Sequence, residues 1–124
     1  MFVEGAEFMI TEYLGEIVAK YVGKIALKYI TKEGINYTKS NLELGKEIHK
    51  AYKVGLADNI NTFKEYTGIK SIRPDFVDFN TKTIYEIKPN NPRSIQQGIR
   101  QLKKYKALFE KKYGGTWNIK LDTY

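Results

Sequence analysis

The chain has no cysteine among its 124 residues, so a disulfide framework and a thiolate metal site are both excluded. It also lacks an uninterrupted apolar run long enough to span a membrane. Charged side chains interrupt the apolar stretch from residue 8 to residue 30, namely Glu12, Glu16, Lys20, Lys24 and Lys28. The N-terminus carries Glu4 and Glu7 where a secretory signal would carry bases. We therefore expect neither a signal peptide nor stable membrane insertion.

Basic side chains outnumber acidic ones, which gives the chain a formal net charge of +7. Such a charge favours polyanions such as nucleic acids as partners, although solubility alone also explains it. Hydrophobic residues make up 42% and charged residues 28% of the sequence, as in ordinary soluble globular proteins. The length suits one domain around one core, so we expect residues 1–124 to form a single domain.

The charges in the N-terminal stretch recur every fourth residue and would form a slowly drifting stripe on a helix. Acidic residues come first and basic residues last, which suits the helix dipole. The pattern predicts one long helix over residues 5–31, with a wide apolar surface, inside an extension of residues 1–40. We interpret it as a core helix lying across a sheet, with a partner interface or a transient membrane contact as alternatives.

The rest of the chain predicts helices and short strands in a fixed order. Ser40-Asn41 offers an N-cap for a helix over about 41–55, and a short third helix is expected over 56–67. Strands are expected at 69–73, 74–79 and 83–88. A helix over 93–113, ended by Gly114-Gly115, precedes a last strand over 116–121.

The most informative segment is the predicted hairpin of residues 74–88. With Asn80-Thr81 as its loop, Val77 faces Ile84 and Asp75 faces Glu86, with Cβ atoms about 5 Å apart. Lys88 projects from the same face as Glu86. Two carboxylates this close repel unless a cation lies between them, and oxygen ligands of this kind suit Mg²⁺ or Mn²⁺. A one-residue slip in register would give the role of Asp75 to Asp78.

Together with two helical motifs, this hairpin resembles the PD-(D/E)XK nuclease superfamily, which has the restriction-endonuclease-like fold. Gly45 to His49 resembles the Gly-x-x-x-His element of its RecB-like branch, and Gln101 to Tyr105 resembles the Gln-x-x-x-Tyr motif. The resemblance implies an α/β (α+β) fold with a small mixed sheet of about four strands flanked by helices. Its core would occupy residues 41–124, with the long N-terminal helix as an addition.

Shorter similarities narrow the resemblance to the nuclease toxin tips of bacterial polymorphic and contact-dependent toxins. They lie in Arg73-Pro74-Asp75, in Tyr85 to Pro89, in Asn91-Pro92-Arg93 and at Gly98. Such tips are delivered from a neighbouring cell as part of a larger secreted toxin and act in the bacterial cytoplasm. The resemblance therefore implies a nucleic acid target and a cognate immunity protein, which we expect to be acidic because the chain is basic.

The resemblance also implies roles for particular residues. Asp75 and Glu86 would ligate one or two Mg²⁺ (or Mn²⁺) ions, with His49, or alternatively Glu47, as the ligand from the first core helix. Lys88 would position the attacking water or stabilise charge on the phosphate, and Gln101 would bond a water or a phosphate. The residues expected to contact nucleic acid are Arg93, Arg100, Lys103, Lys104 and Tyr105.

Three functions are consistent with these features. The first is a metal-dependent DNase acting as an antibacterial toxin. The second is an RNase of the same fold, directed for example at tRNA. The third is a non-catalytic nucleic-acid-binding domain with a vestigial site, against which the intact set of Asp75, Glu86 and Lys88 argues.

Overall fold

The computed structural model describes residues 8–12, 28–30 and 36–124, with side chains from residue 37 onward. Two helices and seven strands lie in these ranges. In chain order they are β1 (Phe8–Glu12), β2 (Lys28–Ile30), β3 (Asn36–Thr38), α1 (Leu42–Ala51), β4 (Thr62–Lys64), β5 (Phe76–Asp78), β6 (Thr83–Lys88), α2 (Pro92–Tyr113) and β7 (Asn118–Thr123). Neither helix in this part of the chain is long and apolar enough to cross a membrane.

A mixed five-stranded sheet with the order β1-β7-β6-β5-β4 forms the centre of the molecule. Strands β1, β7 and β6 pair in parallel, whereas β6, β5 and β4 pair antiparallel. Strands β2 and β3 form a separate antiparallel pair. The predicted mixed sheet with flanking helices is confirmed, but it has five strands rather than four because β1 and β4 occupy segments for which the sequence predicted helices.

The predicted helix over residues 5–31 is wrong at residues 8–12 and 28–30, which are strands. The other residues of that segment lie outside the described part of the chain. Strand β1 gains its hydrogen-bonding partner from β7, where Phe8 lies opposite Ile119 and Glu12 opposite Thr123. Such a pairing joins opposite ends of the sequence, so the local spacing of charges carries no sign of it.

The third predicted helix, over residues 56–67, is also wrong, as is the strand predicted over 69–73, which forms turns. The carboxylate Oδ1 of Asp58 accepts the backbone N–H groups of Ile60, Asn61 and Thr62 at 2.8, 2.8 and 2.9 Å. This side chain holds a tight turn that leads directly into β4. It satisfies donors that a helix would have paired with carbonyl groups, so the chain turns into a strand instead.

Both remaining helices begin at an asparagine cap. Asn41 Oδ1 accepts the N–H of Leu44, and Asn91 Oδ1 accepts the N–H of Ser94, each at 2.9 Å. Helix α1 ends at Ala51, short of the predicted residue 55, because Tyr52 adopts an extended conformation. Helix α2 matches its predicted range within one residue and ends at Gly114, where φ is 75°.

The two helices pack on opposite faces of the sheet. Helix α2 covers a core that includes Val77, Ile84 and Leu121. Helix α1 covers a second, smaller core that includes Phe76 and Ile87. Neighbouring positions of one strand therefore belong to different cores, as the alternation of side chains in a sheet requires. The opposite side of α1 borders a groove.

Candidate active site

The hairpin of β5 and β6 has the register that the sequence predicts, with Val77 opposite Ile84. Just before β5, Asp75 continues this register through two side-chain hydrogen bonds. The N–H of Ile87 donates to Asp75 Oδ2 at 2.8 Å, and the N–H of Asp75 donates to Glu86 Oε1 at 3.0 Å. Each carboxylate thus has one oxygen fixed by a backbone donor. Asp78 instead accepts the N–H of Asn80 in the hairpin turn at 2.8 Å.

The Glu86 carboxyl lies in an electrostatically unfavourable position. Its residue is 3% exposed, and its Oε2 lies 4.0 Å from Lys88 Nζ. Burial, followed by the negative charge of Asp75, raises the pKa of Glu86 well above its usual value, and Lys88 only partly opposes this. A buried carboxyl beside a second carboxylate, whose repulsion a neighbouring lysine only partly offsets, is typical of a functional site.

The imidazole of His49 extends the cluster from α1. Its Nδ1 lies 2.8 Å from the carbonyl oxygen of Gly45, one turn earlier, and Nε2 lies 3.3 Å from Asp75 Oδ1. A carbonyl oxygen only accepts, so Nδ1 must carry a proton. In the neutral imidazole, Nε2 then presents a lone pair to a carboxylate oxygen, and these two acceptors repel each other. A proton or another cation between them removes this repulsion. The hydrogen bond to Asp75, opposed by burial, raises the pKa of His49.

A groove of about 870 Å³ opens beside this cluster. Asp75, Lys88 and His49 line it, whereas Glu86 lies behind them and is not among the lining residues. The other lining residues are Ser40, Asn41, Leu42, Gly45, Lys46, Lys50, Lys64, Glu65, Arg73, Pro89, Ser94 and Gln97. Four of its bases were not predicted from the sequence as site residues, namely Lys46, Lys50, Lys64 and Arg73.

The helical periodicity of α1 contained a signal for two of these bases. Lys46 and Lys50 are one turn apart, and each is adjacent in sequence to a residue of the Gly45–His49 motif. The helix therefore presents both lysines on the side that carries His49. Glu47, the alternative metal ligand, is exposed and lies outside the groove lining.

The predicted site residues of α2 do not line the groove. Tyr105 is 8% exposed and buried in the core, where burial and the charges of Glu86 and Asp75 raise the pKa of its hydroxyl to about 12. The Gln101 Oε1 atom is buried and has no hydrogen-bond partner in the described part of the chain. Four bases of α2 are exposed and do not line the groove, namely Arg93, Arg100, Lys103 and Lys104.

Helix α2 lies close against the side chains of Leu121 and Lys88 at Gly98. A Cβ atom at this position would lie 2.7 Å from Leu121 Cδ1 and 3.0 Å from Lys88 Cγ. The absence of a side chain therefore lets the helix lie directly against the stem of Lys88, which limits the positions that this stem can take.

The family model described as Restriction endonuclease fold toxin 9 matches residues 37–124. The chain belongs to this family. The matched range contains α1, the hairpin, α2 and β7, and so includes every residue of the cluster described above. No match was found among curated proteins or among solved structures. Membership in the Restriction endonuclease fold toxin 9 family supports a nuclease toxin acting in a target cell.

Nucleases of the restriction endonuclease fold typically use divalent metal ions. Among the side chains of residues 37–124, no three His, Asp or Glu groups converge as a ready-made metal cage. A Mg²⁺ site does not require one, because this ion is commonly held by one or two carboxylates together with water and substrate phosphate. Asp75 Oδ1, Glu86 Oε2 and His49 Nε2 are not engaged by backbone donors. This donor set in the toxin domain fits a hard divalent ion.

Proposed function

We propose that the chain is a metal-dependent endonuclease that hydrolyses phosphodiester bonds of DNA and serves as an antibacterial toxin. One observation carries the proposal: backbone hydrogen bonds fix Asp75 and Glu86 beside each other, with Lys88 next to them, in a domain of a restriction endonuclease fold toxin family. The buried Glu86 carboxylate close to the Asp75 carboxylate costs folding free energy, which a bound cation would offset.

Asp75, Glu86 and His49 would hold a Mg²⁺ or Mn²⁺ ion. When bound, the ion would activate water and polarise the scissile phosphate. The Gly45 carbonyl keeps the Nδ1 proton of His49 in place and leaves Nε2 as the ligand atom, an arrangement common among metal-binding histidines. The backbone donors to Asp75 and Glu86 orient the carboxylates in the same way.

Lys88 would act on the phosphate as negative charge develops on its oxygens. In the reaction the water oxygen bonds to phosphorus and the water gives up a proton to solvent. The bond from phosphorus to the leaving oxygen breaks, and that oxygen takes up a proton from solvent. The Lys88 ammonium is compact and its stem is confined by Gly98, so it can stabilise this charge without reorganisation. Gln101, with its unpaired buried oxygen, would accept a hydrogen bond from an ordered water near the cluster.

The toxin role includes delivery from a neighbouring cell, action in the bacterial cytoplasm, and a cognate immunity protein. We expect the immunity protein to be acidic and to cover the groove near Lys88 or dock beside it, because the chain carries a net charge of +7. The single-domain organisation, with residues 41–124 as the nuclease core, belongs to the same proposal.

An incubation of the purified chain with plasmid DNA and with total tRNA, in Mg²⁺ or in EDTA, tests the nuclease activity. We expect Mg²⁺-dependent nicking or linearisation of the plasmid. If tRNA is cleaved and the plasmid remains intact, the proposed activity is that of an RNase that uses the same site, and not that of a DNase. Intact nucleic acids in every Mg²⁺ and Mn²⁺ reaction would refute the activity.

Expression in bacteria tests the toxin role. The wild-type chain should arrest growth, the Glu86→Ala variant should not, and co-expression of the adjacent open reading frame should restore growth. Both chains must accumulate as soluble, folded protein for the comparison. Normal growth of cells that contain folded wild-type protein would contradict the toxin role and leave the nuclease chemistry to the assay above.

A further inference from the structure

We propose that the phosphate backbone of the substrate runs along the side of the groove that Lys46 and Lys50 of α1 form, here called the α1 wall. The backbone also contacts Arg73, which precedes β5. The inference rests on the proposed nuclease function and deepens it by assigning the binding surface. It also replaces the four bases of α2 as the principal backbone contacts.

These three bases line the same groove as the reacting groups. Lys46 and Lys50 flank His49 on α1, and both line the same groove as Asp75 and Lys88. Arg73 lines the groove too and precedes Asp75 by two residues. When the scissile phosphate lies at the carboxylate cluster, three cations in the same groove can therefore bind the flanking phosphates of the strand.

Helix α1 carries its acidic and its basic side chains on different sides. Its acidic residues, Glu43 and Glu47, are exposed and lie outside the groove lining, whereas Lys46 and Lys50 lie inside it. The helix therefore directs its bases towards the groove and its acids away from it. A wall of one sign attracts a polyanion and aligns it before the chemical step.

Lys64 does not belong to this phosphate-binding set, although it lines the groove. Its ammonium donates to the carbonyl of His49 at 2.9 Å and to the carbonyl of Tyr52. It therefore caps the C-terminal end of α1 and holds the helix against β4. Lys46, Lys50 and Arg73 are exposed, so their charges face solvent and are accessible to a strand.

The α2 wall differs in charge. Its contributions to the groove are Ser94 and Gln97, both neutral. Arg93, Arg100, Lys103 and Lys104 are exposed outside the groove. A strand held by the α1 wall thus faces only neutral side chains on α2, so α2 offers no cations in the groove that would bind the phosphates in place of Lys46, Lys50 and Arg73.

The test compares charge-neutralised variants in a Lys88→Ala background, with Mg²⁺ present and cleavage suppressed. The variants are Lys46→Gln/Lys50→Gln, Arg73→Gln, Lys103→Gln/Lys104→Gln and the charge-matched control Lys70→Gln/Lys111→Gln, whose residues are exposed and outside the groove. Fluorescence anisotropy measures binding of a labelled 20-nucleotide duplex and of its single strand across a salt series. Thermal unfolding verifies that each variant is folded.

We expect the Lys46/Lys50 variant to bind at least about tenfold more weakly, and the slope of log K against log salt to fall by about 1.4 for the single strand or 1.8 for the duplex. Arg73→Gln should lower the slope by about half as much. The Lys70/Lys111 control should match the background protein, and the Lys103/Lys104 variant should lose clearly less than the Lys46/Lys50 variant. An equal or larger loss in either comparison variant would overturn the inference.

A cleavage assay of the same substitutions, made in the protein that retains Lys88, separates this inference from the proposed function. If the wild type cleaves and the Lys46/Lys50 variant binds and cleaves equally well, the α1 wall is not the binding surface and the nuclease assignment stands. If the wild type neither binds nor cleaves DNA or RNA, both proposals are refuted.

Discussion

Gly98→Ala tests whether the close approach of α2 positions Lys88. The new Cβ atom would lie 2.7 Å from Leu121 Cδ1 and 3.0 Å from Lys88 Cγ. Ordinary contacts begin at 3.4 Å, so both side chains must move by several tenths of an ångström. Overpacking of this kind costs about 1–3 kcal/mol, while Ala in place of Gly inside a helix stabilises by about 1 kcal/mol.

The expected net change in the free energy of unfolding is therefore a loss of about 0–2 kcal/mol, measured by urea denaturation. The expected loss of catalytic rate is larger, relative to the wild type, than the loss of stability. A misplacement of 1 Å can cost about 100-fold in rate, so a shift of a few tenths of an ångström in Lys88 should lower kcat by about threefold to tenfold with a smaller change in KM.

A matched substitution, Gly45→Ala, separates the clash from the general effect of alanine in a helix. Its Cβ would have only Tyr124 Oη nearby, at 3.7 Å, so we expect a gain of about 0.5–1 kcal/mol in stability. If Gly98→Ala gains as much stability as Gly45→Ala and cleaves at the wild-type rate, the proposed contact does not position Lys88.

Three further substitutions test separate parts of the account. Lys88→Ala should lower kcat by about 10²–10³-fold with little change in KM; equal turnover in a cleavage assay would remove its role. Glu86→Gln should abolish cleavage yet raise metal-free stability by about 1 kcal/mol, or roughly 3–6 °C in thermal unfolding, because a buried negative charge beside Asp75 is lost; a lower melting temperature in EDTA would contradict this. Lys64→Met should destabilise the protein by about 1–3 kcal/mol because the carbonyls of His49, Lys50 and Tyr52, at the end of α1, lose their donor; an unchanged denaturation midpoint would show that the cap contributes nothing.

The hairpin could be predicted because several local signals agree there. Two short apolar strands flank a polar turn, and the turn fixes the register, so Val77 meets Ile84 as expected. The turn itself is longer than the two predicted residues, since the strands end at Asp78 and resume at Thr83. The register survives because one residue is added on each side, and Asp75 therefore still lies beside Glu86.

The segment before β5 could not be predicted from hydrophobic spacing. Ile60, Phe63 and Tyr66 recur every third residue and imitate a helix, yet Ile60 is 76% exposed. The turn at Asp58 overrides this spacing by binding three successive N–H groups. The cluster of Asp58, Asn59 and Asn61, all turn-forming residues, was the available signal.

The carboxylate cluster of the candidate site could be predicted from the sequence, whereas the basic residues that line the groove around it could not. Sequence motifs led to Asp75, Glu86, Lys88 and His49, and the structure brings these four side chains together. No motif assigned Lys46, Lys50, Lys64 or Arg73 to substrate binding, and which side of α2 faces the groove depends on how the helix packs against the sheet. The basic residues of α2 were therefore assigned from charge alone, which does not specify direction.

Crystals grown with Mn²⁺ and measured near its absorption edge test the metal site, because anomalous scattering locates the ion without reference to the protein. We expect a peak within about 2.0–2.4 Å of an Asp75 carboxylate oxygen, adjacent to Glu86 and on the Nε2 side of His49, and no such peak in the Asp75→Asn/Glu86→Gln variant. A well-ordered Mn²⁺ elsewhere, with this cluster empty in the same crystal, would contradict the assignment of the metal-dependent site.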